Sequence, residues 1–357
     1  ASWTALGRMR LASNDTHGAL QAAQQGHLAD TQAMGPALLA LELVGRQIQG
    51  AEELVTLAQR QQNSPELAMS YVRVLIELRR YSEADQQLRN LTQSHPQQTE
   101  AWLILGSLQF EQGQDAQAES TLAKYVSLAS QDASINSTQG ITQAQTRRAA
   151  ILARQGKLNE ARQLLAQLPA SNEDELRSRL LAEVQLLREQ RQWQAAFDVL
   201  DKANVNHPDL MYEQAMLAEK LNRLDEMEKL LRAVIEQDPE HHNAYNALGF
   251  SLADRKLRLP EAKALIIKAL SFAPNDPFIT DSLGWVEFRL GNLSAALQHL
   301  QKAYKERPDA EIAAHLGEVL WQLSRQDEAR AVWREGVKLA PDNETLQETL
   351  QRLKPQL

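Results

Sequence analysis

Hydrophobic and small residues in the C-terminal third of the chain recur at a regular interval. The segments "NALGF", "DSLGW" and "AHLGE" share a Leu-Gly pair, and their glycines, Gly249, Gly284 and Gly317, lie 35 and then 33 residues apart. Each pair is followed by an alanine twelve or thirteen residues later and then by a proline, as at Ala262 and Pro274. Self-similarity at this period is typical of repeat proteins. We therefore predict a repeated unit of two helices, A and B, joined by a short turn.

The residue types at these positions suit two helices packed closely together. Glycine and alanine let the two backbones approach, and leucine fills the layer between them. Proline ends helix B, because it lacks a backbone N–H and clashes with the preceding turn. The flanking "PND" and "PDN" place Asp and Asn where they can cap the next helix. These features resemble the tetratricopeptide repeat of about 34 residues.

The same frame continues towards the N-terminus. The small residue that opens helix B, replaced once by methionine, recurs at Ala19, Ala51, Ala84, Ala118, Ala161, Ala196, Met227, Ala262, Ala296 and Ala329. The steps are 31 to 35 residues, except for one of 43. About ten repeats in register predict an all-α fold, a right-handed superhelical solenoid of helix–turn–helix units.

The long step contains the polar segment "SLASQDASINSTQG", which predicts a loop or hinge over residues 127–140. The predicted organisation is N-terminal repeats over 1–126, this hinge, C-terminal repeats over 141–341 and a capping helix over 342–357. The capping helix is expected because the end of a solenoid would otherwise expose its core. Since the first repeat is already in frame at Trp3, we expect further sequence before Ala1.

Composition and charge narrow the class of protein. Helix-forming residues dominate, and the net charge of −8 argues against a nucleic-acid backbone as the partner, which would require a basic stripe. No apolar run reaches the roughly 20 residues that span a bilayer. The chain has no cysteine, which excludes disulfides and thiolate chemistry and mildly favours an oxidising compartment such as the periplasm.

The sequence contains no motif for catalysis, cofactor binding or metal binding. The phosphate-binding, dinucleotide-binding, hydrolase and EF-hand patterns are absent. His241 and His242 are adjacent, but no further ligand completes a set, and an exposed pair in a turn explains them better. We therefore expect a protein that is not an enzyme and that needs no cofactor or metal.

The repeat register separates core tryptophans from tryptophans on the concave groove, which is lined by helix A. Trp3, Trp102 and Trp333 fall on packing positions, and Trp193 falls in the turn between helices A and B. The predicted partner-binding groove consists of Asn243, Asn246, Phe250, Asp281, Trp285, Phe288, Glu318 and Trp321. Exposed aromatic residues beside hydrogen-bonding groups are typical of peptide sites. The alternative is that later turns of the superhelix or the end helix cover these residues.

Several segments also carry a more specific resemblance. "NALGFSLADR", "PNDPFITDSLGWVEFRLGN" and "AEIAAHLGEVLW", together with "PALLALEL" and "AWLILGSLQFEQG" upstream, resemble a family of proteobacterial periplasmic lipoproteins with many tetratricopeptide repeats. In that family, one member is an outer-membrane lipoprotein that binds a carboxyl-terminal processing protease and promotes degradation of cell-wall hydrolases. The lipidated cysteine and N-terminal helices of such proteins do not occur in this sequence.

The resemblance implies a periplasmic adaptor that brings a processing protease and its hydrolase substrates together. It also implies outer-membrane anchoring through a lipid on an N-terminal segment not present here. The alternative is an assembly scaffold for an outer-membrane machine of the pilus or secretin type, without a protease. A hydrolase or polysaccharide-binding protein is disfavoured, because the sequence offers no polar catalytic constellation.

Overall fold

The protein is described by a computed structural model that covers residues 2–131, 135–204 and 206–355. These residues form helices and turns, with no strand among them. The chain divides into two compact units, unit 1 over residues 1–186 and unit 2 over residues 187–357. None of the helices within the described ranges has the length and apolarity needed to cross a bilayer.

Taken two at a time in chain order, the first twenty helices form ten helix–turn–helix pairs, and α21 follows them. The first ten helices are α1 (Ser2–Ala12), α2 (Thr16–Ala29), α3 (Met34–Gly45), α4 (Ala51–Gln62), α5 (Pro65–Glu77), α6 (Tyr81–Ser94), α7 (Thr99–Glu111), α8 (Asp115–Ala129), α9 (Ile135–Arg154) and α10 (Leu158–Ala166). The remaining helices are α11 (Glu173–Glu189), α12 (Trp193–Ala203), α13 (Pro208–Lys220), α14 (Leu224–Gln237), α15 (His242–Asp254), α16 (Leu259–Phe272), α17 (Pro277–Arg289), α18 (Leu293–Glu306), α19 (Ala310–Gln322), α20 (Gln326–Leu339) and α21 (Glu344–Leu353). The predicted all-α solenoid of about ten repeats is confirmed.

The small residues that define the repeat lie at the start of the second helix of each pair. Each falls in the first turn of an even-numbered helix and is buried, as are Ala19, Ala51, Ala84, Ala118, Ala161, Ala196, Met227, Ala262, Ala296 and Ala329. The Leu-Gly glycine of helix A lies opposite: an added methyl at Gly284 would come within 2.6 Å of Leu300 Cγ. A larger side chain at either place would push the two helices apart.

The turns supply helix caps of the kind that the sequence indicates. Asp276 begins α17 by accepting a hydrogen bond from the backbone N–H of Phe278 at 2.8 Å. Asp309 does the same at α19 through the N–H of Glu311, also at 2.8 Å. The Asn343 side chain caps α21. Capping satisfies backbone donors that have no partner within the helix, so each cap marks where a helix starts.

The structure differs from the predicted hinge at residues 127–140. Helix α8 continues to Ala129 and α9 begins at Ile135, so both ends of the polar segment are helical. Gly140 is buried against the Tyr125 ring, which gives this part of α9 a packed partner. Residues 132–134 of the segment lie outside the described residues. The two units divide at residue 186, and α21 lies within the segment predicted as the capping helix.

The tryptophans assigned to the core behave differently from one another. Trp333 is fully buried, which confirms that assignment, whereas Trp102 is half-buried and donates its indole N–H to the Pro96 carbonyl at 2.9 Å. Trp3 is 41% exposed, so its assignment to the core is wrong. The reason is that α1 packs on α2 and α3, which cover one side of it. Trp193 begins α12 at the turn and is half-buried.

Trp333 anchors the core at the C-terminal end of unit 2. Its indole lies over Gly317, and its N–H points to the Ala314 carbonyl at 3.4 Å. Leu346 of α21 is fully buried in the same cluster, so this tryptophan connects α19, α20 and α21. This core fixes the positions of α19, α20 and α21 relative to one another.

We predict that Trp333→Ala lowers the free energy of unfolding by about 3–5 kcal/mol, because it leaves a large cavity in a packed core. Trp3→Ala is the matched control, and its exposed ring predicts a much smaller loss. Urea unfolding followed by far-UV circular dichroism measures both variants. Equal losses in the two variants would contradict the described core.

Candidate partner-binding site

Four consecutive helix A positions of unit 2 enclose a cavity of about 450 Å³. Its walls come from α15, α17, α19 and α21, and its lining residues are Phe250, Asp254, Lys256, Trp285, Arg289, His315, Glu318, Thr345, Glu348, Thr349 and Arg352. Each helix contributes residues three or four apart, since such residues lie on one helix face. Tandem repetition therefore lines up one face of each of these four helices on the same surface of unit 2.

The floor of the cavity is a stack of three side chains. The Trp285 ring lies 4.2 Å from the His315 ring, with 26° between their planes. The Arg289 guanidinium lies 4.3 Å from the centre of the Trp285 ring. The Trp285 N–H also donates to Asp254 Oδ1 at 3.2 Å. Both the ring and the polar atom of Trp285 are thus engaged within unit 2, and its side chain is 3% exposed.

A buried ion pair lies behind this stack. His315 Nδ1 is 2.9 Å from Asp281 Oδ2, and both side chains are buried. Burial by itself lowers the pKa of His315, but the charge of Asp281 and its hydrogen bond, with further help from Glu311, outweigh burial and raise that pKa. The contact between the His315 imidazole and the Asp281 carboxylate therefore joins α19 to α17.

The carboxylates around the cavity differ in their partners. Arg352 of α21 donates to both oxygens of Glu318, at 2.9 Å and 2.5 Å. Arg289 donates to Asp254 at 2.9 Å. For Glu311 on the same face, desolvation by burial raises the pKa of the carboxyl. The cavity thus combines paired charges with a nearby carboxylate that binds a proton more readily than usual.

The structure brings together some of the residues predicted for the groove. Phe250, Trp285 and Glu318 line the cavity, and Asp281 lies directly behind it. The expectation that Trp285, Asp281 and Glu318 are exposed is wrong, because neighbouring repeats and α21 cover them. The alternative of a covering end helix therefore holds for Glu318, which Arg352 pairs from α21.

The other predicted groove residues lie outside the cavity. Phe288 stacks on Trp285, with ring centres 5.1 Å apart. Trp321 is half-buried against the core, with its ring 5.6 Å from that of Trp333, under the Arg330 guanidinium. Asn243 is exposed, and Asn246 is half-buried with its Oδ1 buried and without a hydrogen bond.

Several residues that line the cavity are not among the predicted groove residues, namely Asp254, Lys256, Arg289, His315, Thr345, Glu348, Thr349 and Arg352. A signal for some of them exists in the spacing. Asp281 and His315 are 34 residues apart, as are Glu318 and Arg352. Residues one repeat apart lie side by side on adjacent helices, so complementary charges at that spacing predict contacts between repeats.

The lining of the cavity is rich in charged side chains of both signs. The lining contains the cations Lys256, Arg289 and Arg352 and the carboxylates Asp254, Glu318 and Glu348. Two threonines of α21, Thr345 and Thr349, lie beside them, and the lining histidine, His315, is paired with Asp281 through its Nδ1. No group of three or more metal-ligating side chains occurs in the described part of the chain.

We predict that Trp285→Ala lowers the free energy of unfolding by about 3–5 kcal/mol, as expected for a buried aromatic side chain. The loss includes the stack with His315 and Arg289. Phe278→Ala on the same helix removes an exposed ring and is the control, with a clearly smaller expected loss. Far-UV circular dichroism during urea unfolding measures both, and a Trp285→Ala variant of wild-type stability would contradict the stack.

The His315–Asp281 pair predicts a pH dependence of stability. Because the folded-state pKa of His315 is raised, its contribution is fully present below the unfolded pKa of about 6.5 and is lost as pH rises through the folded pKa. Unfolding measured between about pH 6 and 9 should therefore show falling stability. His315→Gln should flatten this slope, whereas His17→Gln, which changes an exposed histidine, should keep it. An unchanged slope in His315→Gln would rule out the pair as its source.

Comparisons with known sequences agree with the helix pairs. A profile described as tetratricopeptide repeat matches residues 72–133 and 282–344, and a second profile with the same description matches residues 208–241. A TPR repeat-containing protein of Pseudomonas aeruginosa is 40% identical over 178 residues. The match covers 49% of this chain and 30% of that protein, so the chain spans less than a third of this relative.

Solved structures give more distant likenesses. A tetratricopeptide repeat protein from Parabacteroides merdae is 15% identical, with a TM-score of 0.47, over 81% of this chain and 98% of its own. A thermophilic TPR protein of Thermus thermophilus is 19% identical, with a TM-score of 0.38, over 60% of this chain and 99% of its own. The matched profiles and the helix pairs lead to the conclusion that residues 72–133, 208–241 and 282–344 carry tetratricopeptide repeats within an all-α solenoid of helix pairs.

Proposed function

We propose that the chain is a non-catalytic scaffold for protein–protein interaction and that the cavity of unit 2 holds part of a partner. The observation that carries this proposal is the cavity lining, which places charged side chains of both signs around a stacked aromatic floor. Such a surface offers hydrogen-bond donors and acceptors together with apolar area, which is the composition of protein-binding sites. Tetratricopeptide-repeat proteins bind other proteins, and the fold is typically non-catalytic.

The charges at the rim of the cavity supply a means of recognition. Lys256 and Glu348 are exposed and have opposite charges. A partner with complementary charges would approach faster and in a defined register, because electrostatic complementarity mainly governs association rate and specificity. The buried stack of Trp285 and His315 would then form a rigid floor for the partner.

We further propose that the scaffold is a periplasmic adaptor, anchored to the outer membrane through a segment before Ala1. Its proposed partners are a carboxyl-terminal processing protease and the cell-wall hydrolases which that protease degrades. Support comes from the sequence resemblance of the segments between residues 243 and 343. An adaptor that binds both proteins raises the effective concentration of one near the other to about millimolar.

We predict a bell-shaped dose response in a reconstituted reaction of processing protease, folded hydrolase substrate and increasing amounts of this chain. Proteolysis should first rise through bridging and then fall, because excess scaffold places protease and substrate on separate molecules. Cleavage of the hydrolase is measured by gel densitometry. A plateau without decline would instead indicate activation of the protease, and no effect would leave an assembly scaffold as the remaining candidate.

Two charge-reversal variants connect this reaction to the cavity. Lys256→Glu reverses a charge at the rim and should weaken partner binding by at least about tenfold, since like charges across an interface are strongly unfavourable. Lys302→Glu is the matched control, because Lys302 is an exposed lysine on the helix B surface of α18. If both variants bind the partner equally well, the partner binds elsewhere on the chain.

A further inference from the structure

An ion pair closes the series of helices that surrounds the cavity. Lys220 Nζ at the C-terminal end of α13 lies 2.9 Å from Glu344 Oε2 at the N-terminal end of α21, although 124 residues separate them. The cavity walls on α15, α17 and α19 lie between these two helices in the chain. The pair therefore joins the first and the last helix of the series across the helix A side of unit 2.

Like charges oppose this closure. Glu219, next to Lys220, interacts unfavourably with Glu311 of α19 and with Asp254 of α15. Desolvation raises the pKa of both Glu219 and Glu311, while Lys220 favours the ionised form of each. One lysine thus offsets the repulsion between several carboxylates. Without its charge, the repulsion between Glu219 of α13 and the carboxylates of α15 and α19 would be less well compensated.

The attraction itself is weak. The Lys220 and Glu344 side chains are 46% and 76% exposed. An exposed ion pair of this kind shifts an equilibrium by about fivefold or less. Salt screens it further, because the Debye length falls from about 10 Å at 0.1 M to about 3 Å at 1 M ionic strength. Weak attraction balanced against repulsion is the condition for reversible opening.

We propose that the Lys220–Glu344 pair is a salt-sensitive latch that closes the cavity of unit 2 and must open for a protein segment to enter. The control of partner entry rests on the proposed scaffold function, whereas the opening itself is a property of the free chain. Partner binding and latch closure then compete for the same arrangement of α13 and α21. The latch sets the fraction of molecules that are competent to bind.

The opening is tested by a distance measurement without a partner. Because the chain has no cysteine, Asp225→Cys and Gln351→Cys give two exposed labelling sites, one in the first turn of α14, which follows α13, and one on α21. Double electron–electron resonance should show one short distance at low salt. Adding about 1 M NaCl, or changing Lys220→Gln or Glu344→Gln, should add a longer distance. Identical distributions in all four samples would overturn the latch.

The matched control is Lys302→Gln, which removes one exposed lysine from α18, where it pairs with Glu306. It should leave the distance distribution unchanged. Far-UV circular dichroism of each variant shows whether helix content is retained. A longer distance of the same size in Lys302→Gln would attribute the opening to net charge and not to the latch, and would overturn the proposal.

The effect of the latch on partner affinity is measured with labelled protease or labelled hydrolase, the two proteins of the reconstituted reaction. Lys220→Gln should bind its partner more tightly than the wild type, by up to about fivefold. An open latch without a gain in affinity would overturn the control of entry. If neither the wild type nor the variant binds either protein, the proposed function fails, while the distance measurement still decides whether the latch exists.

Discussion

The close approach of helix A and helix B within each repeat is the constraint on which the rest of the structure depends. An alanine in the first turn of helix B, or Met227 in one unit, is buried in every pair. This contact sets the distance between the two helices, and leucines of the preceding helix fill the layer between them. Within unit 2, successive repeats then present the same face of helix A, so the surface around the cavity arises from repetition.

Repetition also explains how the site forms. The contacts that define the cavity join residues one repeat apart, as Asp281 joins His315 and Glu318 joins Arg352. A single repeat contains half of each pair and has no site. The cavity is therefore a property of neighbouring units, and a shift in the register of one repeat would separate the partners of the pairs on both sides.

The sequence allowed the fold to be predicted because its signal is local and recurrent: Ala262, Ala296 and Ala329 report the same contact three times. The exposure of the groove residues carried no such signal. Whether Trp285 faces solvent depends on side chains from α15, α19 and α21, and the sequence left the alternative of a covering end helix open. His315 was missed because a lone histidine on an alanine-rich helix has no local motif, and its partner is 34 residues away.

Two kinds of ion pair connect the helices of unit 2 near the cavity, and their difference in burial gives them different roles. The His315–Asp281 pair is buried, and losing either member would leave an unpaired charge in a dry environment, which is strongly destabilising. The Lys220–Glu344 pair is exposed, and water can replace either partner at little cost. The buried pair therefore keeps α17 and α19 as a rigid wall, and the exposed pair can open without unfolding the repeats. In a binding surface of this kind, the fixed wall determines which partners fit. The weak ion pair determines what fraction of the time the cavity is open.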